Sequence, residues 1–122
     1  MGDWYSRPVL FVADVAASVA FYVGALGFSE AWRHEEDGRP LVAQVDRNGC
    51  ELILSSQWPH KAGTGMMFVS LDRTVFDALW PELAARGVAV REGFWGYPSK
   101  IVDDPDGNQL YFPEPGQTDA AS

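Results

Sequence analysis

Apolar positions along this chain change their period in a fixed order, and the order occurs twice. "RPVLFV" (7–12) is a compact β-branched and aromatic run, the composition of a strand. After it the period lengthens. Val15, Val19, Tyr22, Val23 and Leu26 recur at helical spacing, so "VAASVAFYVGALG" is expected to be an amphipathic helix. Asp14 stands where an N-cap belongs, and Gly27 stands where a helix stops. Three strand-like pieces follow: Phe28–His34, Leu41–Val45 and Glu51–Ser55. "EEDGR" and "DRNG" separate them as turns.

The same order then starts again. "MMFVSL" (66–71) reads as a strand, and Asp72 or Thr74 can cap "VFDALWPELAARG", which Gly87 ends. Pro81 lies inside that helical pattern, where it removes a hydrogen bond and crowds residue 77. A kink or a short 3₁₀ start is expected there. "VAVREGF", "SKIVDD" and "NQLYF" are the remaining strands, with "DDPDGN" as a type-I-like turn before the last.

The chain is therefore an internal repeat of strand, helix and three strands. The turn glycines Gly49 and Gly107 lie 58 residues apart, and the helix-ending glycines Gly27 and Gly87 lie 60 apart. The expected division is a first module over 7–56, a Gly- and Pro-rich linker over 57–64, a second module over 65–115 and a frayed tail over 116–122. Each half is too small to bury a core alone, so the halves must share one. With 122 residues and 47% apolar content, one domain is expected. Period two sets Leu52 and Leu54 on the face opposite Glu51, Ile53 and Ser55. In the same way, Leu110 and Phe112 lie opposite Gln109 and Tyr111.

Charge narrows the partners. The chain carries 9 basic and 17 acidic residues, a net charge of −8, so it lacks the basic face that phosphate contacts need. No apolar stretch approaches the roughly 18 residues of a membrane span, and no leader peptide is seen, so a cytoplasmic location is expected. Cys50 is the single cysteine, so no intrachain disulfide forms, and beside Glu51 it is not arranged as a nucleophile. There is no nucleophile elbow, phosphate loop or paired Cys/His.

"VLFVADVAASVAFYVGALGF" and "DPDGNQLYF", at this separation and within an internal repeat, resemble the opening and closing segments of the vicinal oxygen chelate superfamily. That superfamily groups glyoxalase I, extradiol dioxygenases, fosfomycin-resistance enzymes and bleomycin-resistance proteins. The resemblance covers residues 7 to 115. It implies an α+β fold in which two βαβββ modules form a curved mixed sheet around a cleft, helices on the outer face. It also implies which strand face is the cleft: the one bearing Ile53 and Tyr111.

Metal-dependent members draw ligands from four matching strand positions. Carried over one at a time, these are Arg7, Ile53, Gly65 (or Thr64 if the alignment slips by one) and Tyr111. None is His, Asp or Glu, and arginine does not ligate a cation. His34 and His60 lie at a strand end and in the linker. No metal, no other cofactor and no catalytic residue is therefore expected.

The cleft offers aromatics instead, 13% of the sequence. "FWGYPSKIVDDPDGN" looks like the matching stretch of the bleomycin-resistance branch. Trp80 is expected in the core, and Trp4 against a partner chain. Trp32, Trp95 and Tyr111 are candidate stacking residues, Arg7 a candidate hydrogen-bond donor in the cleft or a partner for Glu51 or another acid, and Glu51 a candidate holder of a cationic group. Ile53 completes the candidate ligand-binding set. The expected protein is a homodimer whose clefts, shared between chains, sequester a planar, partly cationic or amide-rich small molecule. A metal-dependent glyoxalase, lyase or dioxygenase with displaced ligands is the alternative.

Overall fold

The computed structural model describes residues 4–116. The frayed tail expected over 116–122 falls, apart from Gly116, outside the described residues. Each repeat is built as expected. In the first, β1 (Val9–Phe11) leads to α1 (Val15–Gly24), then β2 (Ser29–Glu36), β3 (Arg39–Arg47) and β4 (Cys50–Ser55). In the second, β5 (Met66–Phe68) leads to α2 (Arg73–Ala85), then β6 (Arg91–Phe94), β7 (Pro98–Asp103) and β8 (Gln109–Pro113). Each module forms its own four-stranded mixed sheet, in the orders β1-β4-β3-β2 and β5-β8-β7-β6. The opening strand of each module pairs parallel to its closing strand, and the other pairs are antiparallel. This is the α+β, two-module architecture of the sequence reading, its curved surface assembled from two open sheets.

Local chemistry accounts for the boundaries. The Asp14 side chain accepts the Ala17 N–H at 3.1 Å and caps α1. Gly27 takes φ +76°, and the Phe28 N–H returns to the Tyr22 carbonyl at 2.9 Å. Both hairpins of the first module turn on residue pairs with positive φ, Asp37-Gly38 and Asn48-Gly49, the conformation that matches strand twist.

Three expectations change. Val23 is off the buried stripe of α1, 39% exposed, because it lies about 100° around the helix from Tyr22. The strand at Met66 stops at Phe68 rather than Leu71. α2 begins after Asp72 without a 3₁₀ start and runs through Pro81, which is exposed; Asp77, whose carbonyl loses its donor, is exposed too. The expected linker over 57–64 holds a 3₁₀ turn at Pro59–Lys61.

Val15, Val19 and Tyr22 of α1 pack on Ala43, Val45, Leu52 and Leu54, and Phe76, Leu79 and Leu83 of α2 join the same core with Phe112. One core thus spans both modules. Polar contacts fasten it. The Tyr22 hydroxyl donates to Asp104 Oδ2 at 3.1 Å. Asn108, fully buried, donates to Asp104 and to the Phe11 carbonyl, and its Oδ1 accepts the Gly65 N–H at 2.7 Å. At the other end Glu82 of α2 accepts from Arg47 and Arg86, whose guanidinium groups also donate to the Leu26 and Ala25 carbonyls after α1.

Two measurements follow. Asn108→Ala removes a side-chain bridge between the modules, leaving the Gly65 N–H without its acceptor and buried Asp104 one donor short, and is expected to cost about 2–4 kcal/mol in urea unfolding. A loss below about 0.5 kcal/mol would contradict the bridging role. The Arg47 hydrogen bond holds the Glu82 carboxyl below its usual range. A depressed carboxyl stabilises the fold above the ordinary glutamate pKa of about 4.3, and that contribution fades as pH falls through the folded value. Glu82→Gln is expected to cost about 1 kcal/mol or less at pH 7, the pair being partly exposed, and to flatten the stability profile between about pH 5 and 3.

Candidate ligand-binding cleft

Alternation along β3 sends Ala43 and Val45 into the core and Gln44 to the opposite face. Gln44 lies opposite Ile53 on β4 and Trp32 on β2, while Val9 on β1 lies opposite Ile53. These residues share one surface. Gln44 is only 5% exposed, and all four of its hydrogen-bonding positions are filled. Its Oε1 accepts from Arg7 Nη1 at 2.5 Å and from Trp32 Nε1 at 3.0 Å. Its Nε2 donates to Asp46 at 2.8 Å and to Glu51 at 3.3 Å. The Tyr5 hydroxyl also donates to Glu51, and the Arg7 guanidinium lies 5.3 Å from the Tyr5 ring centroid.

Four of the sequence candidates, Arg7, Trp32, Glu51 and Ile53, therefore meet on the first module. The expectation left Arg7 free to pair with an acid. Instead it meets the Gln44 amide, and no ion pair among the described residues includes it. Gln44, Asp46 and Tyr5 were missed. A glutamine at an alternating position facing a candidate site carries a usable signal, since an amide buried there must find partners.

On the second module the register sets Phe68 beside Tyr111. Their rings stack at 5.4 Å with an interplanar angle of 23°, and Trp95 lies 6.4 Å from Phe68. Trp95 is 59% exposed and Phe68 40%, so this aromatic platform faces solvent. Gly93 backs it: a Cβ there would lie 2.3 Å from Ile101 Cδ1 and 3.9 Å from the Tyr111 ring. Trp95 and Tyr111 thus stand together, and Phe68, unmarked by sequence, completes the stack. Trp80 packs edge-on against Phe76 and Phe112 in the core, and Trp58 packs edge-on against Phe11. Trp4 is 96% exposed.

Between the two modules runs a groove of about 790 Å³ whose floor is the shared core, Leu26, Phe28, Leu79, Leu83 and Phe112. Tyr5 and Glu51 from one module and Phe68 from the other line it. Each surface reaches this opening only at its edge, the hydrogen-bonded one through Tyr5 and Glu51 and the aromatic one through Phe68. Burial and neighbouring Asp46 push the Cys50 thiol up, so it is held protonated.

The family's metal positions do not fit a divalent ion. Arg7 is a cation donating to Gln44, Ile53 is apolar, Gly65 has no side chain and the Tyr111 ring is stacked on Phe68. Among the described residues, no three of His, Cys, Asp and Glu converge as a metal group. None of the described helices is long and apolar enough to cross a membrane.

The model of the Glyoxalase/Bleomycin resistance protein/Dioxygenase superfamily matches residues 4–112, and the chain belongs to that superfamily. Among solved structures it is similar to the bleomycin-binding protein from bleomycin-producing Streptomyces verticillus, complexed with copper(II)-bleomycin. The two are 26% identical, with 93% of this chain and 98% of that one covered at a TM-score of 0.71. It is also similar to TnmS3, an antibiotic binding protein from Streptomyces sp. CB03234, at 24% identity, 95% and 99% coverage and a TM-score of 0.74. The fosfomycin resistance protein FosX from Mesorhizobium loti shares the fold over the full length of both chains at 12% identity and a TM-score of 0.66. No curated protein matches the chain.

Gly93→Ala tests the packing behind the platform. It is expected to destabilise by about 1–3 kcal/mol, because Ile101 is buried and must give way. Gly24→Ala, in α1 with nothing near its added Cβ, is the control and is expected to be neutral or stabilising by up to about 1 kcal/mol in the same urea titration.

Proposed function

We propose that this protein binds and sequesters a planar, antibiotic-type small molecule and confers resistance to it without chemistry. The observation that carries the reading is a pair of surfaces, one on each module, that reach the inter-module groove at their edges through Tyr5, Glu51 and Phe68. One is a stacked aromatic platform of Phe68, Tyr111 and Trp95. The other is the hydrogen-bonded cluster of Tyr5, Arg7, Trp32 and Glu51 around Gln44. Flat rings bury area on such a platform at little entropic cost, each good ring pair adding about 0.5–1.5 kcal/mol beyond area burial. Asp46 and Glu51 give the polar wall an acidic end that suits a cationic group. The kinship with a protein solved in complex with copper(II)-bleomycin supports the ligand class.

The metal positions support a binding role over the family's metal-dependent reactions, since Arg7, Ile53 and Gly65 supply no ligating side chain. The working form in this reading is a cytoplasmic homodimer with clefts shared between chains, and the exposure of Trp4 and Phe94, 96% and 72%, suits a partner surface.

Tryptophan emission is expected to be quenched by metal-free bleomycin at micromolar concentration, with Tyr111→Ala weakening binding about tenfold, or about 1.4 kcal/mol. Elemental analysis of the purified protein is expected to find far less than one metal ion per chain. Absence of quenching would remove the bleomycin-type ligand. A stoichiometric divalent metal would favour an enzyme with displaced ligands.

A further inference from the structure

Gln44 gives the polar wall a fixed electrical order. Its amide cannot be turned over without facing its NH₂ at the Arg7 and Trp32 donors and its oxygen at two carboxylates. The oxygen therefore stays toward Arg7 and the nitrogen toward Asp46 and Glu51. The guanidinium has five N–H groups and gives one to Gln44, and no acid among the described residues pairs with it. The wall thus presents a cationic donor end and an anionic acceptor end, held apart by one buried amide.

A purely cationic ligand would satisfy the acids and offer no acceptor to the remaining N–H groups of Arg7. A purely anionic ligand would meet Arg7 but also face two carboxylates. A group carrying both an acceptor and a cationic donor satisfies both ends. We infer that the cleft selects an amino-acid-type head group, carboxylate or carbonyl beside an ammonium, attached to a planar ring system. Gln44 is the positioning residue that sets the order of its contacts. The inference rests on the binding function proposed above and names the ligand class for that same site. The head group meets Arg7 through its acceptor and Glu51 and Asp46 through its donor. The ring lies toward Phe68, which borders the groove with Tyr5 and Glu51.

Calorimetric titration with three probes that share one ring tests it: 2-naphthylalanine, 2-(2-naphthyl)ethylamine and 3-(2-naphthyl)propionate. The zwitterion is expected to bind at least tenfold tighter than either the amine or the acid. Arg7→Met is expected to bring the zwitterion down to the level of the amine. Gln44→Met is expected to shrink the preference for the zwitterion below threefold. Gln44→Glu preserves the size of the side chain but hands Arg7 a carboxylate, so it is expected to shift the preference to the amine. A change in the ratio between probes is not what a merely structural role produces, since lost stability weakens all three alike. Binding of all three within threefold of one another would overturn the selectivity and leave the binding function standing. No heat with any probe would overturn the binding function and this inference with it. A tenfold preference surviving in both Gln44 variants would overturn the positioning role.

Discussion

The structure depends on a buried polar knot at the "DDPDGN" turn. Asp104 is 4% exposed and accepts four donors: the Tyr22 hydroxyl, the Asp106 and Asn108 backbone N–H groups and the Asn108 side chain. A carboxylate removed from water needs about that many partners to be tolerated. Burial, then the neighbouring Asp104, pushes the Tyr22 hydroxyl far above its ordinary range, so it remains a donor. Because Tyr22 and Phe11 belong to the first module and Asp104 and Asn108 to the second, satisfying this turn locks the modules together. Ala13 adds its N–H to Asp106 across the same junction. The hydrophobic core holds the two halves against one another; the knot fixes their orientation, because hydrogen bonds have direction and burial does not.

That fixed orientation sets the two candidate surfaces relative to one another. Each module carries one, on the face that alternation turns away from its core. The first is a set of charges and amides arranged around Gln44. The second is a set of rings backed by Gly93. The repeat has diverged in its chemistry while keeping its backbone: position 53 is isoleucine and position 111 is tyrosine, 58 residues apart. At two of the positions that the sequence resemblance marks for metal ligands, this chain carries a guanidinium held by an amide and a tyrosine stacked on a phenylalanine.

Much of this was written in the sequence. The doubled change of period, the caps at Asp14 and Gly27 and the turns at Asp37-Gly38 and Asn48-Gly49 are local signals, set by backbone sterics and short hydrogen bonds. Strand alternation correctly separated Leu52, Leu54, Leu110 and Phe112 from the candidates opposite them. Val23 and the end of β5 were misjudged because periodicity marks a face only to within a residue or so. Pro81 stays inside α2, and the position of the carbonyl it frees, Asp77, is exposed to water.

The partners across the site were not legible. Gln44 and Phe68 matter through residues 37 and 43 positions away, Arg7 and Tyr111. No local pattern encodes which buried amide meets which guanidinium, or which ring a tyrosine lies on. Sequence alone determined the elements and the repeat, because those follow from local geometry and residue chemistry. Tertiary structure decided that Arg7 meets an amide rather than an acid, and that the polar and aromatic surfaces reach one groove at their edges. Those outcomes depend on strand register and on the angle between modules, which exist only once distant parts of the chain have packed.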